Sequence, residues 1–166
     1  RSEDPVLFLE HKALYRAASA RTPTPPEDYT LPFGKARIAR EGSDMTIVTY
    51  GMMTQKSLNV AEELEQEGVD VEVVDLRTIV PLDSETILES VRKTNRALVV
   101  YEDHEFIGFG AELSAQIADD AFTYLDAPIR RVAGEFTPIP FAHSLERSVL
   151  PSDEGILEAA RDLAAF

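Results

Sequence analysis

The fold is decided by residues 45–101, which read MTIVTYGMMTQKSLNVAEELEQEGVDVEVVDLRTIVPLDSETILESVRKTNRALVVY. Three short apolar runs in this stretch have the length and composition of buried strands. They cover residues 45–50, 71–74 and 97–101. Between them lie two segments with apolar residues at helical spacing, which predict helices over about residues 54–67 and 83–93. Strands that alternate with helices indicate a parallel sheet covered by helices on both faces.

The ends of the two helices carry residues that cap helices. Thr54 and Asp83 precede the two apolar stripes, and their side-chain oxygens can accept hydrogen bonds from the free N–H groups of a first turn. Gly68 follows the first helix and marks its end, because glycine readily takes the backbone conformation that closes a helix. We therefore expect Thr54 and Asp83 to be the N-caps.

The segments on either side complete the sheet. Residues 36–40 and 45–50 are strand candidates joined by only four residues, and a connection that short requires the two strands to run antiparallel. Downstream, Gly108 and Gly110 open a helix, residues 129–132 form a fifth strand, and Ser152 or Asp153 caps a C-terminal helix. The predicted fold is a three-layer α/β domain, with a five-stranded, mostly parallel sheet that contains one antiparallel strand.

The first 34 residues have a different character. Residues 6–9 are apolar and predict a buried strand, although no earlier strand is present in the sequence to pair with it. Residues 17–34 are rich in turn-forming residues and contain four prolines. Proline fixes φ and removes an amide donor, so this segment is expected to be a semi-rigid linker. The compact domain is expected to span residues 35–166.

Composition restricts the classes of function. The chain has 166 residues, which suits one domain, and no cysteine, which excludes disulfides, thiolate metal sites and a cysteine nucleophile. Its formal net charge of −14 repels nucleic acid and anionic membrane surfaces, so neither is an expected partner. The first residues contain no apolar stretch long enough for a signal sequence or a membrane span. The expected location is the cytoplasm.

The carboxyl ends of the parallel strands place several polar residues at one edge of the sheet, where such folds bind ligands. The candidates for a crevice there are Asp75, Arg77, Glu102 and His104. A structural interpretation stays open, because Asp75 and Arg77 can form an ordinary ion pair and residues 102–105 can be a solvated acidic loop. Four consecutive residues rarely converge on one ion, so no metal site is expected in that loop.

Five stretches carry a family resemblance. They are PVLFLEHKALYR (5–16), LPFGKARIAREGSDMTIVTYG (31–51), EVVDLRTIVPLD (72–83), TNRALVVYEDHEFIGFGAEL (94–113) and LDAPIRRVAGEFTPIPFAHSLERSVLPS (125–152). Together they resemble the C-terminal half of the beta subunit of thiamine-diphosphate-dependent 2-oxoacid dehydrogenases, such as the pyruvate and branched-chain enzymes. That half is a transketolase C-terminal domain, and the resemblance implies the same five-stranded sheet.

The resemblance implies decarboxylation of a 2-oxo acid on thiamine diphosphate with magnesium in the full enzyme, followed by transfer of the acyl group to a lipoyl group. It also implies that residues 1–16 are the remnant of a preceding pyrimidine-binding domain. No residue of this chain is expected to bind cofactor or metal, because the family's Gly-Asp-Gly motif does not occur in it. This stretch alone is therefore expected to be inactive. His11 and Glu10 are the candidates for a position near the substrate mouth.

The implied partners are an alpha subunit or a fused alpha region, a second beta copy, and the lipoyl acyltransferase component. Asp126 and the terminal carboxylate of Phe166 are the candidates for contact with a basic domain of the acyltransferase, since carboxylates accept charge-assisted hydrogen bonds from Arg and Lys. Asp126 can also simply fix the turn before Pro128. Two alternatives stay open: an independent module that binds a small ligand, and the C-terminal domain of a deoxyxylulose-phosphate synthase or a transketolase.

Overall fold

A computed structural model of the chain describes residues 3–166. Its strands are β1 (Arg37–Arg40), β2 (Met45–Thr49), β3 (Val71–Asp75), β4 (Ala97–His104) and β5 (Arg130–Gly134). Its helices are α1 (Met52–Gln66), α2 (Ser84–Thr94), α3 (Phe109–Ala121), α4 (His143–Val149) and α5 (Asp153–Ala164). Short 3-10 turns cover Lys12–Arg16, Ala18–Ala20 and Phe122–Tyr124. Within the described residues, no helix is both long enough and apolar enough to cross a membrane.

The five strands form one sheet in the order β1-β3-β2-β4-β5. β1 pairs antiparallel with β3, and every other pairing is parallel. The short connection between β1 and β2 predicts that these two strands run in opposite directions, although β3 lies between them in the sheet. The predicted five-stranded sheet with one antiparallel strand is confirmed.

Helices cover both faces of the sheet, and alternate residues of each strand point to opposite faces. Ile47 and Val73 belong to a core with α1 and α5, whereas Val48 and Val74 belong to a second core with α2 and α3. All four side chains are fully buried. The near-continuous apolar composition of β2 and β3 follows from this burial on both faces.

One expectation about a helix end needs correction, and one helix was not predicted. α1 begins after Gly51, which has a φ of 64° and makes no side-chain cap, so Thr54 is not the N-cap. The Thr54 hydroxyl instead donates to Asp75 at 3.5 Å, because the tertiary fold brings the end of β3 beside it. Asp83 caps α2 as expected, by accepting from the Thr86 N–H. The helix α4 has no counterpart among the predicted elements.

The strand expected at residues 6–9 is wrong for this chain. Those residues form no strand, and their side chains are half to almost fully exposed. A strand needs a neighbour for its backbone hydrogen bonds, and none of the described strands pairs with this segment. The following residues approach the domain on one side only. The half-buried ones, His11, Leu14, Ala17 and Ala20, recur at the three-residue spacing of a 3-10 helix.

Candidate functional site

The carboxyl ends of β2, β3, β4 and β5 meet at one edge of the sheet, which we call the carboxyl edge. The structure brings two predicted site residues together there. His11 Nε2 lies 2.7 Å from Glu102 Oε2, and both side chains are 29% exposed. The imidazole lies above Gly51, since a Cβ at that glycine would be 3.8 Å from His11 Cδ2. A residue of the N-terminal segment is therefore fixed to the end of β4, 91 residues away.

Tyr50 lies beside this pair and was not among the candidate residues. Burial, with a smaller contribution from the nearby charges of Asp103 and Glu102, raises the pKa of Tyr50 to about 12. Its ring makes an edge-on contact with Phe109, with 6.2 Å between centroids. The hydroxyl therefore stays protonated at neutral pH and can donate a hydrogen bond. Its position directly after the buried strand β2 is the sequence signal that could have identified it.

Asp75 and Arg77 form a separate cluster. Asp75 accepts a hydrogen bond from Arg37 Nη2 at 3.1 Å, and Arg77 Nε lies 3.9 Å from the same carboxylate. Asp75 thus has its partners on β1 and in its own loop, whereas Glu102 has His11. Asp75 and Arg77 are therefore separate from Glu102, and the ion-pair interpretation describes them better than a ligand clamp does.

His104 belongs to an aromatic cluster. Its ring contacts Phe136 edge-on at 5.4 Å, and Phe136 contacts Phe106 at 5.0 Å. His104 Nε2 lies 3.1 Å from the Thr137 carbonyl oxygen, to which it donates. The side chain therefore links the loop after β4 to the loop after β5. None of these contacts involves His11 or Glu102.

The same two loops expose apolar side chains at the carboxyl edge. We define the apolar surface as Phe106, Ile107, Phe136, Ile139 and Phe141, which are between 57% and 101% exposed. Ile107 also has a φ of 64°, which is costly for a β-branched residue. Exposed apolar groups of this kind mark contacts with other protein surfaces. Sequence reasoning missed this surface, although its apolar residues occur in loops outside any helical or strand pattern.

Asp126 and Phe166 lie at the opposite edge, where the parallel strands begin, which we call the amino edge. The Asp126 N–H donates to the carbonyl of Asn95, two residues before β4. Arg161, near the end of α5, pairs with Glu67, directly after α1. The two helices therefore end at the same edge of the sheet, and Phe166 follows the end of α5. Both Asp126 and Phe166 are exposed.

Within residues 3–166, no group of three or more His, Asp and Glu side chains is arranged to hold a metal ion. The residues described therefore do not fit a magnesium diphosphate group by themselves.

Comparisons with known proteins support the fold and extend the sequence resemblance. The chain is 48% identical over all 166 residues to the pyruvate dehydrogenase E1 component subunit beta of Bacillus subtilis. It is 47% identical to the protein of the same name from Staphylococcus aureus. In both cases it covers 50% of the relative, so the chain spans about half the length of these curated relatives.

Solved structures match as well. A split-gene transketolase, described as an inactive beta4 tetramer, superimposes with a TM-score of 0.68 at 26% identity, over 84% of this chain and 44% of that chain. The family described as "Transketolase, C-terminal domain" matches residues 34–156. The matched range agrees with the compact part of the structure, and it accounts for the antiparallel strand and the four parallel ones. The chain belongs to the transketolase C-terminal domain family.

Proposed function

We propose that this chain is the C-terminal assembly domain of the decarboxylating component of a 2-oxoacid dehydrogenase, with pyruvate as the substrate to test first. The observation that carries the assembly role is the apolar surface at the carboxyl edge. A surface of exposed aromatic and aliphatic side chains is stabilised when another domain covers it. The choice of reaction is supported by the identity to the pyruvate dehydrogenase E1 beta subunits.

In this proposal, residues 1–16 are the last part of a preceding pyrimidine-binding domain, residues 17–34 are a linker, and residues 35–166 are the assembly domain. Thiamine diphosphate and magnesium are bound by other parts of the enzyme, in the cytoplasm. An alpha subunit or alpha region and a second beta copy complete the decarboxylating unit. The acyl group is then passed to a lipoyl group of the acyltransferase component, and the 166-residue chain alone is inactive.

The segment that would enter from the preceding domain carries the residues proposed to lie nearest the chemistry. Glu10 accepts a hydrogen bond from the hydroxyl of Tyr15, within the same segment. His11 contacts Glu102 on the assembly domain. We place His11 at the substrate mouth and Glu10 beside it, because His11 is the point where this segment meets the carboxyl edge.

Asp126 and Phe166 are proposed to bind a basic domain of the acyltransferase. They lie at the amino edge, away from the apolar surface, so this partner and the other subunits of the decarboxylating unit would not compete for one surface. Exposed carboxylates act on the rate of encounter with a basic partner as well as on affinity. Salt should weaken such an association.

The activity is tested by producing the full-length chain together with its alpha partner and measuring decarboxylation of pyruvate and of branched-chain 2-oxo acids. Activity is expected only with thiamine diphosphate and magnesium present, and residues 1–166 alone should be inactive. Turnover by the isolated 166 residues, or no turnover of any 2-oxo acid by the complex, would contradict the proposal.

The second contact is tested in the same complex by binding of the acyltransferase's peripheral domain at low and high salt. Asp126→Ala, and a chain extended beyond Phe166, should each weaken binding and reduce its salt dependence. Asp119→Ala is the matched control, because Asp119 is an exposed carboxylate near the end of α3 at the same edge. Unchanged binding in both test variants would leave Asp126 and Phe166 with structural roles only.

A further inference from the structure

The His11–Glu102 contact has a chemical direction. An ionised carboxylate can only accept hydrogen bonds, so the 2.7 Å contact requires His11 Nε2 to carry the hydrogen. The other ring nitrogen, Nδ1, is buried and has no hydrogen-bond partner. A neutral imidazole with hydrogen on Nε2 leaves a lone pair on Nδ1. The contact thus selects one of the two tautomers of His11.

Glu102 is also held rigidly enough to impose that choice. It follows the fully buried residues of β4, and its backbone lies against β5, since a Cβ at Gly134 would be 2.7 Å from the Glu102 carbonyl oxygen. His11, in contrast, belongs to a segment whose neighbours are mostly exposed. The ring has no second hydrogen bond to orient it, because Nδ1 has no partner. Glu102 is therefore the group that fixes the orientation of the ring.

We propose that Glu102 is a positioning residue for His11: it holds the imidazole over Gly51 in the tautomer with hydrogen on Nε2 and leaves Nδ1 as the nitrogen that accepts a hydrogen bond or a proton. The functional part of this inference rests on the proposed function, in which His11 lies at the substrate mouth. The group that Nδ1 meets there is a donor, such as a hydroxyl, an ammonium or a protonated substrate group. Buried polar atoms without a partner are rare in folded proteins, which supports a donor that arrives on assembly.

The arrangement follows a general chemical rule. A carboxylate that accepts from one imidazole nitrogen fixes both the tautomer and the orientation of the ring, and makes the other nitrogen available. The pair also links the N-terminal segment to the end of β4, so the position of the histidine depends on both parts of the chain. A residue remote from His11 in sequence thereby decides which of its nitrogens can act.

The test uses the full-length chain in complex with its alpha partner, labelled with nitrogen-15 at histidine. His11→Gln identifies the His11 signals. In the unmodified chain, we expect Nε2 to be protonated and Nδ1 to be bare. Glu102→Ala should give a mixture of the two tautomers, whereas Glu102→Gln should retain the first one, because the amide oxygen still accepts a hydrogen bond. Glu112→Gln, an exposed position in the first turn of α3, is the matched control and should change nothing.

Turnover of the 2-oxo acid is measured on the same samples. Glu102→Ala should lower kcat by about 10-fold or more and change KM much less, and Glu102→Gln should recover most of the loss. A wild-type His11 with hydrogen on Nδ1, or an unchanged tautomer in Glu102→Ala, would overturn the positioning role. So would an unchanged kcat in an active complex. If the unmodified complex turns over no 2-oxo acid, the proposed function fails, and the tautomer signals still decide whether Glu102 orients His11.

Discussion

The two edges of the sheet differ in how their polar side chains are paired and in how many apolar side chains they expose. At the amino edge, a buried polar network joins the start of β2 to α2. The Thr46 hydroxyl lies 2.7 Å from the hydroxyls of both Ser90 and Thr94. Nearby, the almost fully buried carboxylate of Glu72 pairs with Lys93. Polar side chains at this edge are used to hold the domain together.

The charge of Glu72 is kept by its partners. Burial by itself raises the pKa of Glu72, but hydrogen bonds from Lys93, Ser90 and the backbone N–H of Gly42 outweigh it and hold the pKa below its usual value. The carboxylate is therefore ionised inside the folded domain at neutral pH, and it stabilises the fold only while its partners are present.

At the carboxyl edge, some buried polar atoms have no hydrogen-bond partner and several apolar side chains are exposed. The hydroxyl of Thr49 and the Nδ1 atom of His11 have no partner among the described residues, and the apolar surface is exposed. The polar groups of the amino-edge network are paired with one another, although Nε of the nearby Arg96 is buried without a partner in the described part of the chain. The amino-edge network stabilises this domain, whereas the carboxyl edge carries the apolar surface that we propose joins it to other subunits. Four predictions test that division, beginning with the largest effect.

Gly110, at the start of α3 near the carboxyl edge, is expected to tolerate an added side chain as poorly as a core position does. A Cβ at Gly110 would lie 1.9 Å from the ring of the fully buried Tyr101, so Gly110→Ala should destabilise the 166-residue chain by about 3 kcal/mol or more. Gly155→Ala is the control, because its Cβ would meet only Ser152 Oγ at 3.5 Å. That change should be neutral or slightly stabilising in a helix. Chemical denaturation measures both, and equal effects would contradict the packing argument.

Removal of the cation at the amino edge should be the next largest effect. Lys93→Met leaves the Glu72 carboxylate buried without its ion pair. Loss of one partner of a buried pair costs about 3–5 kcal/mol, but Lys93 is 45% exposed, so about 2 kcal/mol is expected. Lys12→Met, on the exposed N-terminal segment, should change the free energy of unfolding by less than about 0.5 kcal/mol. Similar losses of unfolding free energy in the two variants would show that the Glu72–Lys93 pair stabilises the fold no more than an exposed lysine does.

Low pH should remove part of the stabilisation that the Glu72–Lys93 pair provides. The pKa of Glu72 in the folded chain lies below its ordinary value of 4.5, so the pair stabilises the fold above that pH and loses its effect as the pH falls through the folded value. Glu72→Gln removes this titration. The difference in free energy of unfolding between wild type and Glu72→Gln should therefore shrink as the pH is lowered from 7 to 3. Parallel curves over that range would show that folding does not lower the pKa of Glu72.

The smallest effect on stability is expected at the apolar surface, where the largest effect on assembly should occur. Phe136 is 66% exposed at the carboxyl edge, and Phe122 is 73% exposed after α3, at the amino edge. Either Phe→Ser change should alter stability by less than about 1 kcal/mol.

In the full complex, Phe136→Ser should weaken subunit association by about 10-fold, as loss of a buried aromatic contact does, and Phe122→Ser should not. Sedimentation over a range of protein concentrations separates the two variants. Equal association would remove the distinction between the edges.

Much of the fold could be predicted from local patterns. The apolar runs of β2, β3 and β4 and the short link before β2 indicated a parallel sheet with one reversed strand, and the structure has both. Asp83 was identified as a cap from its position alone. The close contact of Gly110 with Tyr101 gives the reason for a glycine at that helix start. These features depend on neighbours in sequence or on which face of an element is apolar, and both can be read from spacing.

The site depended on contacts that spacing does not encode. Thr54 looked like a cap, but the fold turns its hydroxyl toward Asp75. Glu72 interrupts an apolar strand, and its burial follows only from the approach of Lys93 on α2. Residues 6–9 have the composition of a strand, but no edge reaches them in this chain.

By itself, the sequence determined the five strands, the helices α1, α2, α3 and α5, and their order, because backbone hydrogen bonding and side-chain alternation are local. Only the tertiary structure decided that His11 meets Glu102 and that Asp75 does not join them. It also decided that Phe106 and Phe136 bring the loops after β4 and β5 together. Each of these depends on which loops the crossovers bring to the same edge of the sheet. A polar pair separated by 91 residues has no spacing in the sequence that could announce it.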